Sequence, residues 1–440
     1  MRLSIYALSV PIILFAAGCA KAFQTDKVVF VRSDSSSPDL ICKPNHTRTC
    51  STRNGAGTQT CNSTGSGWGT CASLKSCSSG YALDPAKSTC HRVFGQAEKV
   101  NSTELFSGFK SLHASEIANS HLFLDGWKTE SDYLKRSDNR RGNRRLYQSF
   151  IQTGLWQDPQ PLIFNNSGYE PGYIPGYHLN DPTVVYVEET GLYWMYFTAV
   201  PSDDSQSFAD VSTDSGVGAA YSADGAQTWT VLHNFNDIQG SSSFSDSSYS
   251  RDSRHSGHAS DSKPYMIIDQ SNGSNETGAR APAAVIVGSE VLVYYQSRAE
   301  CYSVECQDDI DGDLAANGPP KIFRVRLKNN GWEKIDTKQP TDWAGQPIRL
   351  TSIDVQVAHG LYWMIGRSSA STLALWISED GLTFRPYNGT DGIVADDPAG
   401  NPIFSPRIHV TSERAFEVYF GYGNEGTQAS NSVHKWSFQL

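Results

Sequence analysis

The feature that most constrains the fold of this chain is a short segment that occurs twice. Residues 191–198 read GLYWMYFT, and residues 360–367 read GLYWMIGR. Each copy follows an apolar segment and precedes a Ser-x-Asp-Gly hairpin signal that leads to an aromatic residue. Fainter copies of the apolar segment begin at Ala281 and Ser405. The pattern predicts repeated units of four short strands joined by tight turns.

Repeated four-stranded units are typical of a β-propeller, whose blades bury their faces by packing radially around an axis. Four repeats, together with the residues from 121 onward, predict five blades. The C-terminal segment 433–440 is a third strand without a fourth, and residues 146–164 have the pattern of outer strands. We therefore expect the two ends of residues 121–440 to complete one blade. The predicted fold class is all-β, with a five-bladed β-propeller preceded by a small disulfide-rich module.

The N-terminus has the pattern of an export signal. Arg2 precedes an apolar run, residues 3–17, that is too short to span a bilayer comfortably. The run ends in Ala16-Ala17-Gly18-Cys19, which resembles the bacterial lipobox. We expect residues 1–18 to be a signal peptide and Cys19 to carry a lipid that anchors the chain to the bacterial cell envelope. Ala20 would suit the outer membrane of a Gram-negative cell. The alternative is an ordinary signal peptide cleaved near Ala20 or Ala22.

The cysteines support export. The chain has nine cysteines, and eight remain once Cys19 is assigned to the lipid. Close spacing of so many cysteines is typical of an oxidising compartment. Metal binding is the competing interpretation, but CxxC pairs with neighbouring histidines are absent from the sequence. The eight expected disulfide cysteines are Cys42, Cys50, Cys61, Cys71, Cys77, Cys90, Cys301 and Cys306.

The segments between the signal and the propeller differ in composition. Residues 19–41 are Ser-rich and predict a flexible tether. Residues 42–90 hold six cysteines but almost no large aliphatic residues, so disulfides would stabilise this module in place of a core. The module resembles small thrombospondin-type repeats, which implies adhesion or spacing. Residues 91–120 are predicted to be a linker.

Charge and composition restrict the partners. The net charge is −10, and 19% of residues are charged. Binders of nucleic acid carry a basic face, so nucleic acid is not an expected partner. A basic run near residues 135–145 could touch anionic lipid or polysaccharide, or it could be a solvated loop. A Ser-rich insertion, residues 236–262, is expected to be disordered or a mobile rim loop.

One motif carries a resemblance to a known superfamily. The first repeat opens with His178-Leu-Asn-Asp181-Pro182 and continues into an aromatic strand and a Ser-x-Asp-Gly hairpin. In these features residues 121–440 resemble the five-bladed propeller glycoside hydrolases, which include invertases, levansucrases, arabinanases and β-xylosidases. The resemblance implies that an Asp in the first repeat acts as nucleophile or general base, that an Asp in the second tunes a pKa or binds the sugar, and that a Glu in the third is the general acid. Glycoside hydrolysis needs the first and the third of these carboxyl groups as a pair, one at the anomeric carbon and one at the leaving oxygen.

The superfamily pattern matches this chain only in part. Asp181 corresponds to the first carboxylate, with His178 and Asn180 as sugar-binding neighbours; a turn-capping Asp is the alternative. In the second repeat the expected Asp is Ala281, and its neighbour Arg280 is expected to bind an anionic or hydroxyl-rich ligand.

In the third repeat the nearest acidic residue is Asp354. Aligning Val357 with Val187 sets Asp354 opposite Val184, on the face opposite to Asp181. We take Asp181 and Asp354 as the candidate catalytic residues. Glu170, Asp125, His255 and His258 are further acids without a positional argument.

These observations leave two functions open. The first is a surface lipoprotein whose propeller acts on or binds extracellular carbohydrate. The second is a lipoprotein of the envelope without catalytic activity, either glycan-binding and adhesive or a platform for protein interaction. No cofactor is required by either, although Asp309, Asp311 and Asp313 have the alternating spacing of a structural calcium loop. An acidic solvated loop is the alternative interpretation of those three residues.

Overall fold

A computed structural model describes most of the chain from Cys42 to the C-terminus. The described ranges are 42–52, 55–64, 66–69, 72–73, 81–84, 89–109, 111–118, 121–127, 144–152, 155–166, 169–174, 176–201, 215–233, 264–268, 276–299, 321–328, 331–423 and 431–440. Within these ranges every regular element is a β-strand, which confirms the predicted all-β class. In the same ranges there is no helix long and apolar enough to cross a membrane.

The N-terminal part forms small sheets. One disulfide, Cys42–Cys61, is described there, as the cysteine pattern predicted. Three strands form one sheet and two more form a hairpin: β1 (Thr47–Thr52), β2 (Gly55–Thr60) and β3 (Ala72–Ser73), then β4 (Tyr81–Asp84) and β5 (Thr89–Arg92). The chain divides into two compact units, Met1–Ser51 with Gly57–Ala72, and Thr52–Ala56 with Ser73–Leu440.

The rest of the described chain forms five four- to six-stranded sheets, which are the blades of the predicted propeller. The strand that completes the last blade comes first in sequence, β6 (Glu98–Phe109). Blade 1 contains β7 (Ser111–Ala118), β8 (His121–Trp127), β9 (Arg145–Gln152), β10 (Leu155–Trp156) and β11 (Gln160–Pro161). Blade 2 contains β12 (Ile163–Phe164), β13 (Tyr177–Val187), β14 (Leu192–Pro201), β15 (Gly216–Ser222), β16 (Thr228–Val231) and β17 (Met266–Ile268).

The last three blades follow in order. Blade 3 contains β18 (Glu276–Val287), β19 (Glu290–Ala299), β20 (Lys321–Leu327) and β21 (Lys334–Lys338). Blade 4 contains β22 (Thr341–Asp342), β23 (Thr351–Ala358), β24 (Leu361–Arg367), β25 (Thr372–Ser378), β26 (Thr383–Pro386) and β27 (Ile393–Asp396). Blade 5 contains β28 (Ile403–Ser412), β29 (Ala415–Tyr422) and β30 (Asn431–Gln439), with β6 at its outer edge.

Blade 5 closes the ring with strands from both ends of the propeller. The C-terminal strand β30 pairs with β6, from Asn431 opposite Phe109 to Gln439 opposite Glu98. The innermost strands contact one another in the order β7, β13, β18, β23 and β28, and β28 contacts β7. The ring closes with an N-terminal and a C-terminal strand, but the expected pairing was wrong: residues 145–161 belong to blade 1, and the partner of β30 is β6, which precedes residue 121. The linker predicted at 91–120 is wrong for most of its length, because β6 and β7 within it are blade strands whose polar residues hid the pattern.

The core lies between the blades. Five apolar clusters fill the five junctions between neighbouring blades, so that each junction has its own cluster. The repeated GLYWM segments supply Trp194 and Trp363, which are almost fully buried at the junctions of blade 2 with 3 and of blade 4 with 5. Aromatic side chains of this size bury the area that radial packing needs. The segment therefore recurs because both junctions need the same packing.

The Ser-x-Asp-Gly signals form hairpins fixed by their own side chains. In blade 4 the Asp380 carboxylate accepts hydrogen bonds from the backbone N–H groups of Leu382 and Thr383, at 2.8 Å each. Ser378 Oγ donates to the same carboxylate at 2.9 Å. Asp224 makes the equivalent bonds in blade 2. The aromatic residue that ends each motif is fully buried, which anchors the hairpin to its blade.

Candidate active site

The innermost strands share a β-bulge at one level of the propeller. Backbone pairing skips residues between Asn180 and Thr183 in β13, and equivalent skips occur in β18, β23 and β28. One residue in each bulge has a positive φ, and we call these four the axial positions. They are Asp181 (φ 49°), Ala281 (φ 47°), Ser352 (φ 48°) and Ser405 (φ 44°). Residues other than glycine rarely adopt a positive φ. Backbone strain of this kind is concentrated at functional sites.

A contact across the propeller axis shows where these positions lie. Ser405 Oγ donates a hydrogen bond to Asp181 Oδ1 at 3.1 Å. Ser405 belongs to blade 5 and Asp181 to blade 2, and these blades are not neighbours in the ring. Two side chains from non-adjacent blades can meet only near the axis. The sequence prediction that Asp181 faces the centre is consistent with this contact.

Asp181 is partly open to solvent and has a perturbed carboxyl group. Its side chain is 19% exposed, and its Oδ1 lies 3.8 Å from Nη2 of Arg407. Burial raises its pKa most, and the nearby charge of Asp125 raises it further. Arg407, Arg144 and the Ser405 hydroxyl act in the opposite direction without cancelling the rise. The carboxyl group therefore holds its proton to a higher pH than an ordinary aspartate.

Asp354 lies beside Arg407, in a register that differs from the expected one. Ala358 pairs with Leu361, whereas Val187 pairs with Leu192 across a longer hairpin. Because the hairpins differ in length, aligning the strand ends gave a register that is wrong by one residue. The bulges align Asp354 with Thr183 and not with Val184. In this register, strand alternation no longer sets Asp354 on the face away from Asp181.

The Asp354 side chain is almost fully buried and joins blade 4 to blade 5. Its Oδ1 lies 3.6 Å from Nη1 of Arg407, and its Oδ2 accepts the backbone N–H of Ile408 at 2.8 Å. Burial raises the pKa of this carboxyl, and Arg407 and the backbone donors lower it in part. The catalytic role assigned to Asp354 from the sequence stays a prediction. Its contacts are those of a group that supports other residues.

Asp125 is the acid to which the sequence gave no position. It lies on β8 with no exposed surface, and its Oδ2 is 3.3 Å from Nη1 of Arg144. Its charge is one of the causes that raise the pKa of Asp181, so Asp125 acts on the same site. Sequence reasoning could not locate it because the bulge motif lies on the innermost strand, and Asp125 is on the second strand of its blade. We call Asp125, Arg144, Asp181, Asp354 and Arg407 the Asp181 cluster.

The three residues predicted to bind substrate have different environments. His178 is buried, and its Nδ1 accepts the backbone N–H of Arg144 at 3.1 Å. Asn180 precedes Asp181 in the bulge, and its Oδ1 is buried without a hydrogen-bond partner among the described residues. Arg280 occupies the equivalent place in blade 3, where its Nε donates to Ser215 Oγ at 3.0 Å. Their roles in binding stay predictions.

Several predicted sites fall outside the described residues. These are Cys19, Cys71, Cys77, Cys301 and Cys306, the calcium-loop residues Asp309, Asp311 and Asp313, and the insertion at 236–262. Side chains of Cys50 and Cys90 are also not described. Among the residues that are described, no group of three or more His, Cys, Asp or Glu side chains is arranged to hold a metal ion.

The chemistry available to the Asp181 cluster follows from its exposure. Asp125 and Asp354 are buried, and each lies against an arginine. Asp181 is the more open carboxyl, and Ala281, Ser352 and Ser405 fill the other axial positions without a charge. A partly open carboxyl can accept hydrogen bonds from hydroxyl groups or exchange a proton with a ligand.

Several solved structures that are similar to this chain are glycoside hydrolases. A thermostable family-43 glycoside hydrolase has 12% identity and a TM-score of 0.45, over 74% of this chain and 88% of the other. Zg3597, a family 117 glycoside hydrolase from the marine bacterium Zobellia galactanivorans, has 10% identity and a TM-score of 0.45, over 79% and 91%. CoXyl43, a family-43 β-xylosidase/α-arabinofuranosidase from a compost microbial metagenome, has 11% identity and a TM-score of 0.45, over 77% and 93%.

No protein-family model and no curated protein matches the sequence. Structural likeness at such low identity does not say which side chains act. The roles given to the Asp181 cluster therefore rest on the geometry of this chain.

Proposed function

We propose that the propeller binds extracellular carbohydrate at its axis, with Asp181 as the central contact. The observation that carries the proposal is the position of this carboxyl. It is strained, partly exposed and held across the axis by Ser405, while the carboxyls around it are buried. The resemblance of the His178–Pro182 motif to propeller glycoside hydrolases favours a sugar as the ligand. Sugar hydroxyls are natural donors to such a carboxyl.

The uncharged residues at the other three axial positions favour binding of a sugar over its hydrolysis by two carboxyl groups. Hydrolysis by two carboxyls needs one to protonate the leaving oxygen and another to serve the anomeric carbon or a water. Only Asp181 is acidic among the four axial positions. Asp125 and Asp354 are buried against Arg144 and Arg407, where a sugar has poor access. We therefore place binding first.

Hydrolysis is the second candidate, and one observation favours it. The pKa of Asp181 is raised by burial and by the charge of Asp125. A carboxyl with a raised pKa can hold the proton that a general acid gives to the leaving oxygen. In this alternative Asp181 protonates the leaving oxygen, and Asp125, freed by movement of Arg144, activates the water that attacks the anomeric carbon.

A panel of oligosaccharides and polysaccharides separates the two candidates. Binding and release of reducing sugar would be measured for the wild type, for Asp181→Asn and for the control Asp336→Asn on the outer strand of blade 3. We expect binding by the wild type and by Asp336→Asn, and a loss of at least about tenfold in Asp181→Asn. Release of sugar that depends on Asp181 would support hydrolysis. Equal binding by all three proteins would contradict the proposal.

We also propose that the chain is displayed on the bacterial cell envelope through a lipid on Cys19. The odd cysteine, the apolar leader and the Ser-rich tether support this location. Metabolic labelling with a palmitate analogue tests it. The wild type should take up the label and partition into detergent, and Cys19→Ser should do neither. Wild-type protein that is found in the culture medium without the palmitate label would favour the ordinary signal peptide.

A further inference from the structure

Arg407 is the charged side chain that joins two carboxyls of the Asp181 cluster. It is 1% exposed, with Nη2 facing Asp181 and Nη1 facing Asp354. Nη1 also donates to the carbonyl oxygen of Ile353 at 3.2 Å, which ties the guanidinium to blade 4. A guanidinium is planar and permanently charged, so fixing one end fixes the direction of the other. The cation at Asp181 is thus positioned from the opposite side of the ring.

Asp354 is an ionisable residue at a place where an uncharged hydrogen-bond acceptor is enough to join two blades. At the equivalent place in blade 2, Thr183 Oγ1 accepts the backbone N–H of Ala284 in blade 3 at 3.0 Å. Asp354 makes the same kind of bond to Ile408 with one oxygen, and its second oxygen faces Arg407. A neutral acceptor is therefore enough to join blades at this level. Burying an ionisable carboxyl instead is unfavourable unless it is paired.

We propose that Arg407 is a positioning residue for Asp181 and that Asp354 acts on Asp181 through it. This inference rests on the proposed function, because it takes Asp181 to be the group that meets the ligand. The negative charge of Asp354 offsets part of the positive field that Arg407 produces at Asp181. Asp181 then receives a weaker counter-charge than a single buried arginine would supply.

The direction of the effect follows from the groups around Asp181. Asp125 and Arg144 face it from blade 1, and Ser405 and Arg407 face it from blade 5. Neutralising Asp354 leaves Arg407 to interact with Asp181 alone, so Asp181 should ionise at a lower pH. Shortening Arg407 to lysine leaves one ammonium group that cannot face both carboxyls, so Asp181 should ionise at a higher pH.

The experiment compares three variants of the full chain. Asp354→Asn keeps an amide oxygen for the Ile408 N–H bond, so the junction of the blades is preserved. Arg407→Lys keeps the positive charge but loses the planar guanidinium group, whose two terminal nitrogens face different carboxyls. Gln356→Leu is the matched control, since Gln356 joins the same two strands through the backbone N–H of Val410 at 2.5 Å and carries no charge.

Two readouts distinguish positioning from a purely structural role. The first is the titration of the Asp181 carboxyl, followed by ¹³C NMR of carboxyl-labelled aspartate and assigned by its absence from Asp181→Asn. The second is affinity for the best oligosaccharide of the panel. We expect a titration at lower pH in Asp354→Asn, and at higher pH with at least about tenfold weaker binding in Arg407→Lys. Gln356→Leu should change neither.

An unchanged Asp181 titration in a folded Asp354→Asn protein would overturn the inference, because Asp354 would then only join blades. Equal changes in Asp354→Asn and Gln356→Leu would do the same. If the titration moves as expected but no carbohydrate binds even to the wild type, the inference holds and the proposed function fails. If Arg407→Lys does not fold, Asp354→Asn still decides the question.

Discussion

Replacing Asp181 by asparagine should stabilise the protein at neutral pH while it removes ligand binding. The wild-type carboxyl is partly buried, close to Asp125, and has a raised pKa, so ionising it opposes folding. Asparagine has nearly the same shape, can still accept the Ser405 hydrogen bond and tolerates a positive φ as well as aspartate does. The loss of its contact with Arg407 at 3.8 Å offsets only part of the gain.

The expected gain is on the order of 1 kcal/mol in the free energy of unfolding, which is typical of relieving a destabilised functional residue. In a domain of this size that is a rise in Tm of about 1–2 °C. A carboxyl with a raised pKa makes the wild type lose stability as pH rises from the ordinary carboxyl range to the pKa in the fold. The gain should therefore be full above that pKa and vanish as pH falls below about 4.

Urea denaturation at neutral pH and near pH 4 measures the difference in free energy of unfolding between Asp181→Asn and the wild type. Asp380→Asn is the contrasting variant. Burial would raise the pKa of Asp380, but hydrogen bonds from Thr383, Leu382 and Ser378 outweigh it and the pKa is lowered. Its charge therefore supports the fold above the ordinary carboxyl range. Asp380→Asn should lose less than about 1 kcal/mol at neutral pH, because the hairpin is exposed. Destabilisation of Asp181→Asn at neutral pH would refute the reasoning about the axial carboxyl.

Three further predictions concern the fold and the metal. Tyr294→Phe removes a buried hydrogen bond of 2.8 Å to the Gly381 carbonyl between blades 3 and 4, and should lower stability by about 1 kcal/mol in urea denaturation. A chain that begins at residue 121 lacks β6 and β7 and should be insoluble, whereas one that begins at residue 73 should give a sharp thermal transition. EDTA should lower the Tm of the wild type if the calcium loop binds its metal, and Asp311→Asn should remove that response.

The fold could be predicted because its repeated units share packing. The GLYWM segments are alike since each must bury a Trp between blades, and the Ser-x-Asp-Gly hairpins are alike since the same hydrogen bonds fix them. The boundary at residue 121 could not be predicted. Strand β6 is polar, because it lies at the outer edge of blade 5, and its partner β30 is over 300 residues away in sequence.

The site could be predicted only where a motif marks it. Asp181 stands out because Asp-Pro begins a repeat, and the bulge that aims its side chain lies in that motif. Asp125 and Arg407 have no such signal. Asp125 lies on the second strand of its blade, outside any motif, and Arg407 contacts Asp181 in a blade that is distant in sequence. The register of Asp354 was wrong because strand ends were aligned, while hairpin length varies between blades and the bulge does not.

A structure of the protein with a bound oligosaccharide from the binding panel tests the central claim most directly. The account predicts a sugar at the axis, with a hydroxyl or ring substituent within hydrogen-bond distance of the Asp181 carboxyl and close to Asn180. A sugar bound on the outer face of a blade, with the axial positions untouched, would contradict it.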